Sequence, residues 1–161
     1  MLITLFHWLV ILYPYFHIFF IKGYDIVLFS YVSIMILSWA LLKGECWITV
    51  LYKKIENPDY KLGSDAFNIN DLGIPEEHYN TVINVVRVSS VIVFLGILMR
   101  NYKLLNVPLW CLVYIFMIVY LYLLAYNDLN SAVIFQYILG ALTILTFYIY
   151  YINYTRHSIK T

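Results

Sequence analysis

Charge is scarce in this chain. Of its 161 residues only 12% are Asp, Glu, Lys or Arg, and the net charge is +1. That leaves no bulk basic field to attract nucleic acid, which is excluded as a partner. Two cysteines, Cys46 and Cys111, are too few for a disulfide framework and lie too far apart for a CxxC redox pair. No Ser-His-Asp set, phosphate-cradling glycine loop or HExxH pair occurs. Regular voltage-sensor arginines are absent, as are the matched broken helices of secondary transporters. No motif points to a bound cofactor.

Apolar residues, in contrast, make up 63% of the chain. A soluble domain of this size has no interior large enough for them, so lipid is the solvent they imply. They fall into five runs, Leu2–Ile21, Ile26–Leu42 (continuing to Tyr52), Tyr79–Met99, Leu104–Tyr126 and Ala132–Ile152. A bilayer crossing needs ~20 mostly apolar residues. The expectation is an all-α fold: one polytopic transmembrane helical bundle over residues 1–161, with spans at about 2–21, 26–45, 79–99, 104–126 and 132–152. Four spans plus a re-entrant or interfacial helix is the alternative, with the third run, interrupted by Arg87, the suspect; the stretch Ile26–Tyr52 is either one long tilted helix or a span joined at Gly44 to an interfacial segment. The first run has no basic n-region and no small-residue cleavage site, so it reads as a retained span. Seventeen tyrosines, many at run ends (Tyr24, Tyr52, Tyr79, Tyr102, Tyr126, Tyr148, Tyr150, Tyr151, Tyr154), suit an interfacial aromatic belt.

With five crossings, the N-terminus and the 53–78 loop share one side, here side A. The 22–25 turn, the 100–103 turn and the C-terminal tail share side B. Side B carries Lys22, Arg100, Lys103, Arg156 and Lys160, and side A carries Lys43, Lys53, Lys54 and Lys61. Five basic residues against four place side B in the cytoplasm, with the N-terminus outside. In the 53–78 loop, Asn57-Pro58-Asp59 signals a turn, and Pro75-Glu76-Glu77 signals the start of the third span helix. Asp65, Asn68, Asn70 and Asp71 fail the EF-hand spacing. Asn153-Tyr-Thr155 matches a glycosylation sequon but abuts the fifth span on the cytoplasmic side, so it reads as unused. Pro14 should kink the first helix. Gly96, Gly140 and Ser89-Ser90 are small enough to let helices approach closely.

The few polar groups within the runs suggest a meeting point. Only 12 apolar residues, Val88–Met99, follow Arg87. The helix must therefore recruit residues before Arg87, which starts the guanidinium ~10 Å into the side A leaflet. Glu45 is the best partner on that side. The first two runs form a hairpin that sets His7 across from about Ala40, one to two turns from Glu45 and Cys46. His7, Glu45, Cys46, Arg87 and His78 are thus a candidate cluster. A structural hydrogen-bonded knot is the leading reading, and proton handling, ligand binding or catalysis is the alternative. His7 and His17 lie ten residues apart on one helix, ~15 Å, and cannot ligate one iron. No metal is expected.

Two stretches carry a resemblance. Trp39-Ala-Leu-Leu-Lys-Gly-Glu45-Cys46-Trp-Ile-Thr49 is followed by Lys53-Lys54-x-x-Asn57-Pro58-x-Tyr60-x-Leu62-Gly63 and preceded by Phe6-His7-Trp8. Over about the first 65 residues the chain resembles small uncharacterised multi-pass membrane proteins encoded by giant DNA viruses. The resemblance implies a protein of a virion or host membrane and brings no activity with it. The leading expectation is a non-enzymatic structural or interaction protein. Its partners would be the bilayer, a protein docked on the 53–78 loop, or further copies of itself. A small membrane enzyme or redox protein, and an oligomeric channel or transporter component, are the alternatives.

Overall fold

The computed structural model describes residues 2–23, 25–62, 74–125 and 129–159. Among them the chain is all-α, with no strand. Its six α-helices are α1 (Leu2–Phe20), α2 (Asp25–Leu41), α3 (Trp47–Glu56), α4 (Tyr79–Asn101), α5 (Val107–Ala125) and α6 (Leu129–Ser158). A 3-10 turn at Glu76–His78 leads into α4, where the Pro75-Glu76-Glu77 signal places a helix start.

The apolar run from Ile26 to Tyr52 is not one helix. It breaks at Lys43 and Gly44, both with positive φ (53° and 85°). The Gly44 N–H donates back to the Trp39 carbonyl at 2.8 Å, the long bond of a Schellman cap with Lys43 in the left-handed position. The chain then turns, and α3 starts as a separate ten-residue helix. Thr49 and Val50 of α3 are buried, while Trp47, Leu51 and Ile55 form an exposed apolar stripe. With Lys53, Lys54 and Glu56 in the same short helix, α3 is amphipathic.

Capping shortens the second and fourth apolar runs. Among the described residues only Ser131–Ser158 is both long and apolar enough to cross a membrane. The stretches Thr4–Phe20, Asp25–Leu41, Val88–Asn101 and Val107–Leu123 are apolar but shorter. The second run loses its last residues to the Schellman cap. The fourth starts three residues late because Asn106 caps α5: its Oδ1 accepts the Leu109 N–H at 3.2 Å, with Pro108 in the first turn.

Helix α6 packs most extensively on α5 and α2, and α1 packs on α3, α4 and α2. The core between α2, α4, α5 and α6 is aromatic. Phe29 lies 4.1 Å from Tyr150 and 5.5 Å from Trp110 by ring centroids, and Phe94 bridges Trp110 and Tyr114. Gly96 is the close-approach residue that its size suggests. A Cβ there would sit 2.7 Å from the Ile18 Cδ1 of α1. Among the described residues, Gly140 has nothing within 4 Å of its would-be Cβ.

Pro14 lies inside α1 and cannot donate to the carbonyl of Val10. The Tyr31 hydroxyl of α2 supplies the missing donor, 2.7 Å from that oxygen. A proline gap in one helix is thus closed by a side chain of the next. Around this apolar core, polar side chains are buried as well and many large apolar ones are left outside. His7, His17, Ser33, Glu45, Thr49, Asn101, Thr143 and Thr146 are buried, while Leu9, Phe20, Leu41, Val88, Met99, Ile115 and Ile144 are exposed. Thr143 and Thr146 are satisfied within their own helix, by the Leu139 and Leu142 carbonyls at 2.7 Å.

Candidate functional site

Two polar clusters stand at opposite ends of the helices. On side A, His7 Nε2 lies 2.9 Å from Thr49 Oγ1, which ties α1 to α3. Glu45, in the link one turn before Thr49, is only 2% exposed. Its Oε2 accepts a hydrogen bond from the Tyr60 hydroxyl at 2.8 Å. The Asn57-Pro58-Asp59 signal explains how Tyr60 gets there. Asn57 closes α3 by donating its N–H to the Lys53 carbonyl at 2.7 Å. Its side-chain oxygen accepts the Asp59 N–H at 3.1 Å, and its carbonyl accepts the Tyr60 N–H at 3.0 Å. The turn folds Tyr60 back over α3. Lys53 sits 5.7 Å from the centre of its ring, and its hydroxyl reaches Glu45.

The expected cluster therefore assembles in part. His7 and Glu45 are both buried on side A and held by Thr49 and Tyr60, two partners the sequence reading does not include. Cys46 is half-buried, forms no disulfide and occupies the residue before α3. His78 does not join them. Its side chain is 61% exposed and pairs with Glu77 at 3.5 Å, because the 3-10 turn before α4 keeps it at the surface. Arg87 belongs to α4, and its side chain is outside the described part of the structure, as are residues 63–73 with the acids of the failed calcium pattern. Among the described residues no three His, Cys, Asp or Glu side chains converge as metal ligands.

Side B holds a second knot. Arg100, near the end of α4, has Nε 2.6 Å from Asp25 Oδ1, an ion pair without hydrogen-bond alignment. Its terminal nitrogens donate to the carbonyls of His17 (2.9 Å), Ile18 (3.3 Å) and Gly23 (3.3 Å). One guanidinium thus covers the negative C-terminal end of α1 and the carboxylate that opens α2. His17 Nε2 lies 3.3 Å from the Gly23 carbonyl, which can only accept, so Nε2 carries the proton. In the neutral ring Nδ1 then accepts from the Tyr13 hydroxyl at 3.1 Å. Helix α6 is tied in through Tyr150, which is buried in the core and not in the aromatic belt expected of it because its hydroxyl donates to Asn101 Oδ1 at 2.6 Å, and through Asn153, which donates to the Leu104 carbonyl at 2.8 Å. Sequence reasoning counts Arg100 and Asp25 as turn charges and misses their pairing. The available signal is the register of the first hairpin, which sets Asp25 just past the end of α1.

The chain matches no family model, no curated protein and no solved structure.

Proposed function

We propose that this chain is a multi-pass integral membrane protein with a structural or interaction role. In this reading α1, α2, α4, α5 and α6 cross the bilayer, α3 lies in the side A interface, and the N-terminus is outside. The outer surface carries it: large apolar side chains are exposed on every long helix around an apolar core, while buried polar side chains are knotted at both ends. Lipid is the one solvent in which that distribution is favourable. Helices as short as 17 residues still fall within the ~17–25 that span a bilayer. The exposed Trp47, Leu51 and Ile55 of α3 are suited to an interface, where its lysines reach water. The resemblance over the first residues further supports a virion or host membrane as the setting.

On this reading the side A cluster fixes the α2–α3 link and presents the 53–78 loop to a partner. Glu45→Gln and Tyr60→Phe each lower the unfolding free energy by about 1–3 kcal/mol, and the double replacement costs little more than the worse single one. Reversible unfolding in mixed micelles measures this. A second reading, proton handling at Glu45, is favoured by a carboxyl 2% exposed beside a tyrosine hydroxyl. An unchanged stability for Glu45→Gln would overturn the structural role and leave that second reading standing.

A further inference from the structure

The printed contacts gather three chain segments at the side B end. Gly23, beside Lys22, receives the Arg100 guanidinium, and Leu104, beside Lys103, receives the Asn153 amide, three residues before Arg156. Lys22, Lys103 and Arg156 are all exposed at this end. Asp25 is the acid among the described residues there, and it is consumed by Arg100 at 2.6 Å. After that pairing the described Lys, Arg, Asp and Glu charge left on the rim is wholly cationic. Side A differs, since the exposed Glu56, Asp59 and Glu77 interrupt its lysines. The cations also sit at a level marked by aromatic rings. Tyr102, Tyr148, Tyr151 and Tyr154 are exposed on the same end of α4 and α6. Arg156 lies ~3 Å beyond Tyr154 along the helix, where a headgroup phosphate would be met.

We infer that the side B end is a docking surface for anionic phospholipid headgroups, held by Lys22, Lys103 and Arg156. The inference rests on the membrane reading above. The internal Arg100–Asp25 pair is what makes it specific. By neutralising the acid within the bundle, it leaves the three peripheral cations free of a competing carboxylate. Each basic residue near an anionic surface strengthens association by roughly fivefold, and salt weakens the effect.

The test uses the full chain in phosphatidylcholine vesicles that carry spin-labelled phosphatidylglycerol or spin-labelled phosphatidylcholine as probe. The fraction of motionally restricted label gives the relative affinity. The expected result is a severalfold preference for phosphatidylglycerol at low salt that falls toward unity at about 0.5 M salt. The variant Lys22→Gln/Lys103→Gln/Arg156→Gln should abolish the preference, and Lys43→Gln/Lys54→Gln at the other end should leave it unchanged. Equal restriction of both labels by the native chain overturns the inference, with no variant needed. So does a preference that survives the triple replacement or follows the side A lysines. A chain that fails to insert at all overturns the membrane reading itself, which separates the two failures.

Discussion

Replacing Arg100 with methionine keeps most of the side chain's length and removes at once every polar contact that Arg100 makes in the side B knot. The bond to the His17 carbonyl at 2.9 Å is the strongest of the carbonyl contacts, and those to Ile18 and Gly23 at 3.3 Å are weaker. Hydrogen bonds from a charged group contribute about 1.5–3 kcal/mol. Breaking a buried ion pair by removing one partner costs about 3–5 kcal/mol. Here the Arg100 and Asp25 side chains keep 19% and 31% exposure, so water relieves part of the loss. The expected destabilisation is about 3 kcal/mol. Arg100→Lys keeps the charge but loses the fork that reaches several carbonyls, so it should fall between, at about 1–2 kcal/mol. Asp25→Asn added to Arg100→Met should cost less than it does alone, with a coupling energy of about 1–2 kcal/mol. The assay is reversible unfolding in mixed micelles, followed by tryptophan fluorescence. A loss below about 1 kcal/mol for Arg100→Met, or a coupling near zero, would refute the view that this guanidinium joins α1, α2 and α4.

Two further outcomes follow from the packing. Tyr31→Phe should cost about 1–2 kcal/mol because it strips the Val10 carbonyl of its donor. In a Pro14→Ala background the same change should cost less, since the helix then supplies its own N–H, and the same unfolding assay reads both. Gly96→Leu should push α1 from α4 and lower stability by about 1–3 kcal/mol, because even a Cβ there meets Ile18. Gly140→Ala meets nothing within 4 Å and should be neutral or stabilising by up to about 1 kcal/mol.

The helical segments are legible from hydropathy alone, because apolar run length and turn residues determine them. Their ends are less so. The cap at Lys43 uses a non-glycine residue with φ 53°, a backbone choice that composition does not announce. The run therefore reads on to Tyr52, and the independent α3 stays one of two options. The start of the fourth span suffers the same error, since the turn residues Leu104 and Leu105 and the cap Asn106 are apolar or neutral and look like helix. On side A, a depth argument brings His7 toward Glu45, but it points His7 at the end of α2. The structure has His7 on Thr49, in the first turn of α3, because the break at Gly44 folds that helix back across α1. Tyr60 is written into the sequence as the residue after an Asn-Pro-Asp turn, yet its target depends on tertiary geometry. Arg100 and Asp25 look like ordinary turn charges. Only the approach of α4 to the first hairpin, permitted by Gly96, reveals that they pair.

The most direct test of the membrane reading is topology in sealed vesicles. In a Cys46→Ala, Cys111→Ala background, single replacements Lys22→Cys, Lys54→Cys, Lys103→Cys and Arg156→Cys would be probed with a membrane-impermeant maleimide from each side. The account predicts that positions 22, 103 and 156 react from one side and position 54 from the other. Reaction of all four from the same side, or extraction of the protein by alkaline carbonate, would contradict it.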